Sequence, residues 1–349
     1  MKVLIDFQHP AHVHFFRNVI ERLRGQGHAV KLTGRDKDIL VMLAEEYDLQ
    51  VEIFGRAKPG LFNLGGELLY RWWKLWKIVR RWKPDRMLAG AGTCVSLIGF
   101  LTGTPTHVFY DTEHATLSNM LAYPFATCIH IPECYNKPIR WRYRCYPGYH
   151  TLAYLHPNYF TPDPSVLNDL NVGKDEQYVL LRFVSWGAAH DAGYEGLRDS
   201  QKRRAIEELR KEARVFLSIE GEVPPDFKPL LLPTALSQIH DVIAFSSLVF
   251  GESGTMSSEA AVLGVPAVYV NPLQMGYLHE QEDSYGLVYN FRPPQFDDAL
   301  YAAKEALRCV GSRTYTDRRE NLLSEKIDVT AMIEKVATGK TLADKMSSC

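Results

Sequence analysis

The stretch VFGESGTMSSEAAVLGVPAVYV, residues 249–270, constrains the fold more than any other because it spells strand, tight turn, helix, Gly-Val-Pro break and second strand without interruption. Leu248, Val249 and Phe250 form a short apolar run of the kind expected for a strand buried on both faces, and Gly251 ends it. Ser253, Gly254 and Thr255 then open a helix. Their small side chains leave the first-turn amides uncovered, and those amides with the helix dipole form a site for an anion such as a diphosphate. Glu259 follows Thr255 by four residues, so its carboxylate is expected on the same helix face one turn deeper, in reach of ribose hydroxyls beside bound phosphates. A plainer reading makes Ser253 an N-cap and Glu259 a solvated helix residue, and spacing alone leaves both readings open.

The amino terminus repeats the logic. Residues 2–6 read as a strand, a loop with His9, Pro10, His12 and His14 follows, and Phe15, Phe16, Val19, Ile20 and Leu23 recur at helical spacing. Gly25-Gln26-Gly27-His28 ends that helix and 29–33 resumes a strand. No GxGxxG is present, which disfavours a dinucleotide dehydrogenase. The three histidines invite a zinc reading, but no cysteine or carboxylate stands beside them at ligand spacing, and no metal is expected.

Further short strands are expected at 86–89, 106–110 and 128–131, then at 178–183, 215–219, 248–251, 267–270 and 287–290. This is an α/β pattern of doubly wound parallel sheets, occurring twice. At 349 residues, 46% hydrophobic and 23% charged, the chain is long enough for two cores. Pro157, Pro162, Pro164 and the polar stretch 171–177 mark the expected boundary, giving domains 1–165 and 172–317. Residues 318–349 are expected to hold a final helix, 318–336, and a tail.

A formal net charge of -1 gives no reason to expect nucleic-acid binding. The six cysteines show no CxxC pair, which suits reduced thiols in a cytoplasmic protein. No apolar run reaches the ~20 residues of a spanning helix, and neither a signal peptide nor an anchor is expected. The segment 68–83, LLYRWWKLWKIVRRWK, holds four tryptophans and six basic residues without an acid. Leu68, Trp72, Leu75, Trp76, Val79 and Trp82 form one stripe at helical spacing, suited to covering a sheet. The same composition suits a helix lying on an anionic membrane, and Trp73 stands off the stripe.

Two further groups follow expected strands. Tyr110-Asp111-Thr112-Glu113-His114 stands at the carboxyl end of one, where open α/β sheets bind ligands, although Asp111 could instead cap the following helix. Arg182, Ser185 and His190 follow the first strand of the second half, where an arginine could neutralise a departing diphosphate.

Ser253-Gly254-Thr255, Glu259 and Leu263-Gly264-Val265-Pro266 resemble the donor-site motif of the GT-B superfamily, particularly nonhydrolysing UDP-N-acetylglucosamine 2-epimerases and MurG-like glycosyltransferases. Nearly the whole chain resembles an uncharacterised family of predicted glycosyltransferases related to those epimerases. The resemblance implies a GT-B fold, two Rossmann-like domains facing a central cleft, with Ser253, Gly254, Thr255 and Glu259 on the nucleotide and His190 near its phosphates; Arg182 and Ser185 are expected on the donor beside it. It implies a base among His12, Asp111 and Glu113. Thr255 departs from the family's second small residue, and Gly90-Ala91-Gly92-Thr93 stands where the epimerases carry an aspartate, which argues against epimerisation.

The expected activity is therefore metal-independent transfer of a sugar from a nucleotide donor, UDP first, to a glycan or lipid-linked acceptor in cell-surface polysaccharide synthesis, with no bound cofactor. MurG-like enzymes use a patch comparable to 68–83 to reach lipid-linked acceptors, which implies a place at the inner face of the membrane. A nonhydrolysing UDP-sugar 2-epimerase and a noncatalytic nucleotide-sugar-binding protein or membrane-surface scaffold are the alternatives.

Overall fold

The computed structural model describes residues 1–56, 61–184, 195–310 and 313–340, without the side chains of 61–64. Contacts divide the chain into one unit of Met1–Tyr159 with Ile327–Cys349 and a second of Phe160–Lys326.

The first unit carries seven strands: β1 (Lys2–Phe7), β2 (Ala29–Asp36), β3 (Val51–Arg56), β4 (Arg86–Gly90), β5 (Thr106–Phe109), β6 (Cys128–Pro132) and β7 (Tyr143–Tyr146). They lie in the order β3-β2-β1-β4-β5-β6-β7 with every pairing parallel. The second unit carries β8 (Tyr178–Phe183), β9 (Arg214–Ile219), β10 (Leu248–Gly251), β11 (Ala267–Val270) and β12 (Val288–Phe291), also all parallel, in the order β12-β11-β10-β8-β9. Central strands are continuous apolar runs because helices cover both faces of such sheets: Val3, Leu4 and Ile5 of β1 and all of β10 are buried. β3 and β7, which the pattern of apolar residues does not reveal, are the two edges of the larger sheet and are only partly buried.

Strand order reverses between β1 and β4 in the first unit and between β8 and β10 in the second. At such switch points the connections leave in opposite directions, and the carboxyl ends of the strands bound an open crevice.

The helix Leu61–Trp82 starts earlier than its stripe suggests. Leu68, Trp72, Leu75, Val79 and Trp82 pack on the core as expected, but Trp76 is exposed. Arg71 turns inward instead, because the buried carboxylate of Asp6 pairs with it at 3.0 Å. In place of one helix over 318–336 there are two, Thr314–Glu325 and Val329–Thr338. Lys326 is extended between them, and Asp328 caps the second by accepting from Ala331 N at 2.8 Å. Cys94 and Cys128 are buried free thiols, whereas Cys145 is disulfide-bonded and departs from the expectation of reduced cysteines.

Candidate functional site

At the first switch point, His9 caps the helix Pro10–Gly25 and brings His12 to the carboxyl ends of β1 and β4. Gly90 makes room for it: a Cβ there would stand 2.5 Å from His12 Nε2. Gly92 is equally closed, since its Cβ would lie 2.1 Å from Val108. His12 Nδ1 accepts the Gln8 N–H at 3.2 Å, so in the neutral ring Nε2 carries the proton. Burial, with His9 next in weight, holds His12 well below the usual histidine range and therefore neutral near pH 7.

Asp111 lies just past β5 and caps no helix; the next one begins at Thr116 with Ala115 as its N-cap. Its Oδ2 stands 3.1 Å from His150 Nδ1, and its Oδ1 accepts from the Thr112 hydroxyl at 3.0 Å. Burial acts to raise the Asp111 carboxyl, but His150 outweighs it and the group ends below its ordinary range. His150 follows β7, and its ring packs 4.4 Å from that of Phe15. Its Nδ1–H is oriented by Asp111, which leaves the Nε2 lone pair buried and without a donor among the described residues. His12 senses both groups electrostatically.

A carboxylate that orients an imidazole is the arrangement by which a histidine becomes a general base. His150 escaped the sequence reading because nothing in Pro147-Gly148-Tyr149-His150 signals a base; only the parallel pairing of β7 with β6 brings it beside Asp111. Glu113 does not join this group. It is buried with Oε1 accepting from Asn136 N at 3.4 Å, while Lys137 Nζ donates to its backbone oxygen at 2.8 Å. The three amino-terminal histidines do not converge either: His14 packs on Tyr47 and Tyr154. Beneath the cluster, Asp6 accepts from Thr33, Gln8 and Arg71, and Thr93 donates to Gln8, so β1, β2, β4 and the Trp-rich helix share one polar network.

At the second switch point, Gly251 ends β10 with φ of 152°, where an added Cβ would fall 2.0 Å from Arg182 O. Ser253 caps the helix Gly254–Leu263, accepting from Met256 N at 3.3 Å, and the amides of Gly254 and Thr255 belong to its first turn. Gly254 is buried and Thr255 exposed. Glu259 is buried rather than solvated, with Oε1 3.2 Å from His240 Nε2.

Glu252, which the sequence reading passed over, is buried and ties both flanks of the segment after β8: its carboxylate accepts from Val184 N at 3.2 Å and Leu197 N at 2.7 Å, with Lys202 Nζ 3.4 Å away. Arg182 donates to Ser218 Oγ at 2.8 Å and pairs with Glu220, so its guanidinium already has an anionic partner. Ser185 and His190 lie outside the described residues.

Two all-parallel α/β units of seven and five strands, each opening a crevice at its switch point, define the GT-B fold. The chain is similar to UDP-GlcNAc 2-epimerase from Neisseria meningitidis bound to UDP-GlcNAc, with a TM-score of 0.65 and 14% identity over 98% of this chain and 100% of that one. It is also similar to SsfS6, a Streptomyces sp. SF2575 glycosyltransferase, with a TM-score of 0.59 and 14% identity over 96% and 99% of the two chains. By sequence the chain belongs to the family described as protein of unknown function (DUF354), whose model matches residues 1–281. The chain is also similar to the uncharacterized protein MJ0665 of Methanocaldococcus jannaschii, 23% identical over 300 residues, which are 79% of this chain and 83% of that protein.

Proposed function

We propose that the protein is a metal-independent glycosyltransferase that takes a sugar from a nucleotide donor, UDP first. The observation that carries the reading is the His150–Asp111 pair, whose free Nε2 is suited to removing a proton from an acceptor hydroxyl. His12, with its proton on Nε2, would donate a hydrogen bond at the same edge rather than act as the base. Ser253 and the first-turn amides of Gly254 and Thr255 would hold the diphosphate, and the resemblance assigns Glu259 to the ribose. Arg182 would reach the phosphates only by leaving Glu220. Solved structures of this fold include both an epimerase and glycosyltransferases, which supports a sugar-nucleotide substrate.

Transfer is favoured over epimerisation because Gly90 and Gly92 have no room for the carboxylate that the epimerases carry at this place. The acceptor side of the reading rests on the Trp-rich helix. Leu69, Tyr70, Trp73 and Trp76 are 42–63% exposed, Lys77 Nζ stands 3.6 Å from the Trp73 ring, and Lys74 and Arg80 sit over neighbouring rings. Indoles flanked by cations suit the headgroup layer of an anionic membrane, and hence a lipid-linked acceptor in polysaccharide synthesis. Among the described residues no helix is long and apolar enough to cross a membrane.

The deciding experiment incubates the purified protein with UDP-sugars in deuterium oxide. Nucleotide binding, transfer of the sugar to an added acceptor with release of UDP, and no deuterium at the sugar C2 are expected; deuterium at C2 would make the protein an epimerase, and no nucleotide binding would leave a membrane-surface scaffold.

A further inference from the structure

The opposite edge of the first unit's sheet holds a second, unassigned feature. A cavity of about 270 Å³ opens where β4, β5 and β6 begin and the helix Val329–Thr338 ends. Arg86, Arg142, Arg144, Lys335 and Lys340 line it, and no carboxylate does among the described residues. None of these five has an ion-pair partner among the described residues. The carbonyls at the end of the helix do not account for them, since Val336 O and Lys335 O accept from the backbone N–H groups of Gly339 and Lys340.

A relay of hydrogen bonds links three of the residues that line the same cavity. Arg86 Nη1 lies 3.0 Å from His107 Nε2, and an arginine can only donate. His107 therefore carries its proton on Nδ1 and donates to His130 Nε2 at 3.1 Å. His130 must then carry its own proton on Nδ1. That N–H is buried and finds no acceptor among the described residues, in a cavity-lining residue that is 2% exposed. A buried donor without an acceptor is costly.

The same relay bears on metal binding. Ligand atoms of His107, Cys128 and His130 lie within 4.8 Å of one another, a grouping that resembles a zinc site. Both available imidazole lone pairs, however, are already occupied by Arg86 and His107, and the surrounding guanidinium groups repel a cation.

We propose that this cavity binds a small phosphorylated anion, held by Arg142, Arg144, Arg86 and the two lysines beside the His107–His130 relay. The site is independent of the sugar-transfer reading, because it lies at the amino-terminal ends of the strands and shares no residue with the His150–Asp111 edge.

The test titrates the full chain with sodium tripolyphosphate at low ionic strength and follows the imidazole NMR signals of His107 and His130, assigned with H107Q and H130Q. The expected result is a saturable shift of the His130 signal, weakened about 10-fold or more in R142Q/R144Q by loss of charge-assisted contacts. R210Q/K211Q, on the second unit, should leave that shift unchanged. Arg142 and Arg144 are exposed, so their replacement leaves the fold intact. Because the readout is local, phosphate bound at Ser253–Thr255 does not contribute.

A parallel titration uses vesicles of phosphatidylcholine with and without phosphatidic acid. Arg142- and Arg144-dependent binding to the acidic vesicles alone would assign the phosphate to a lipid headgroup, and response to tripolyphosphate would assign it to a free ligand. A His130 signal that stays still with both probes, or moves equally in R142Q/R144Q, overturns the proposal. Micromolar zinc binding that is lost in C128S would overturn it in favour of a metal site.

Discussion

The two switch points use different chemistry on the same architecture. In the second unit the site is mainly backbone: a helix amino terminus, a serine cap and Gly251 in a conformation side chains rarely adopt, all within residues 251–256. In the first unit the site is made of side chains drawn from three places, His12, Asp111 and His150, whose roles come from mutual orientation. A backbone anion site needs only a local sequence to build it, whereas an acid–base site needs tertiary structure to bring its members together and to set their protonation.

If that contrast holds, the largest effect belongs to the first unit. H150Q or D111N should lower turnover by about 10²–10⁴-fold while UDP affinity, measured by calorimetry, stays unchanged. A loss of UDP affinity in either variant would mean that the division of labour is wrong. The next effect belongs to the backbone of the second unit. In G251A the new Cβ meets Arg182 O, and a loss of about 3 kcal/mol or more in denaturant unfolding is expected. Wild-type stability there would show that the turn is not built on that glycine.

A third test uses pH. Burial, together with Arg86, lowers His107 to about 4, and burial lowers His12. Their unfolded counterparts titrate near ~6.5, so the unfolded chain binds more protons below that value and stability falls as pH drops from about 6.5 toward about 4. Asp111, held low by His150, adds a further loss only below the ordinary carboxylate range. H107Q should flatten the upper part of this slope in thermal unfolding, and an unchanged slope would place the acid sensitivity elsewhere. The smallest effect is that of S253A, which removes the bond to Met256 N and should cost about 1 kcal/mol of stability.

The edges of the larger sheet show where sequence reading loses its signal. Every strand of the second unit is legible, and so are β1, β2, β4, β5 and β6; in β1, β4, β6, β8 and β10 nearly continuous burial demands continuous apolar residues. β3 and β7 are edge strands with glutamate and arginines among their residues, and without the covering on both sides the apolar pattern fades. Among site residues, Ser253 was legible because capping is local. Glu252 was not, since its role depends on two amides that lie 68 and 55 residues away in sequence.

By itself the sequence determined the α/β class, the repeated parallel sheets and the Ser253-capped start of the helix after β10, all set by interactions among near neighbours in the chain. Only the tertiary structure decided that Arg71 would turn inward to Asp6, that Glu259 would be buried against His240 and that Asp111 would orient His150 instead of capping a helix. Those outcomes depend on which charges share a low-dielectric space, and that is fixed by the strand order, which brings distant residues together.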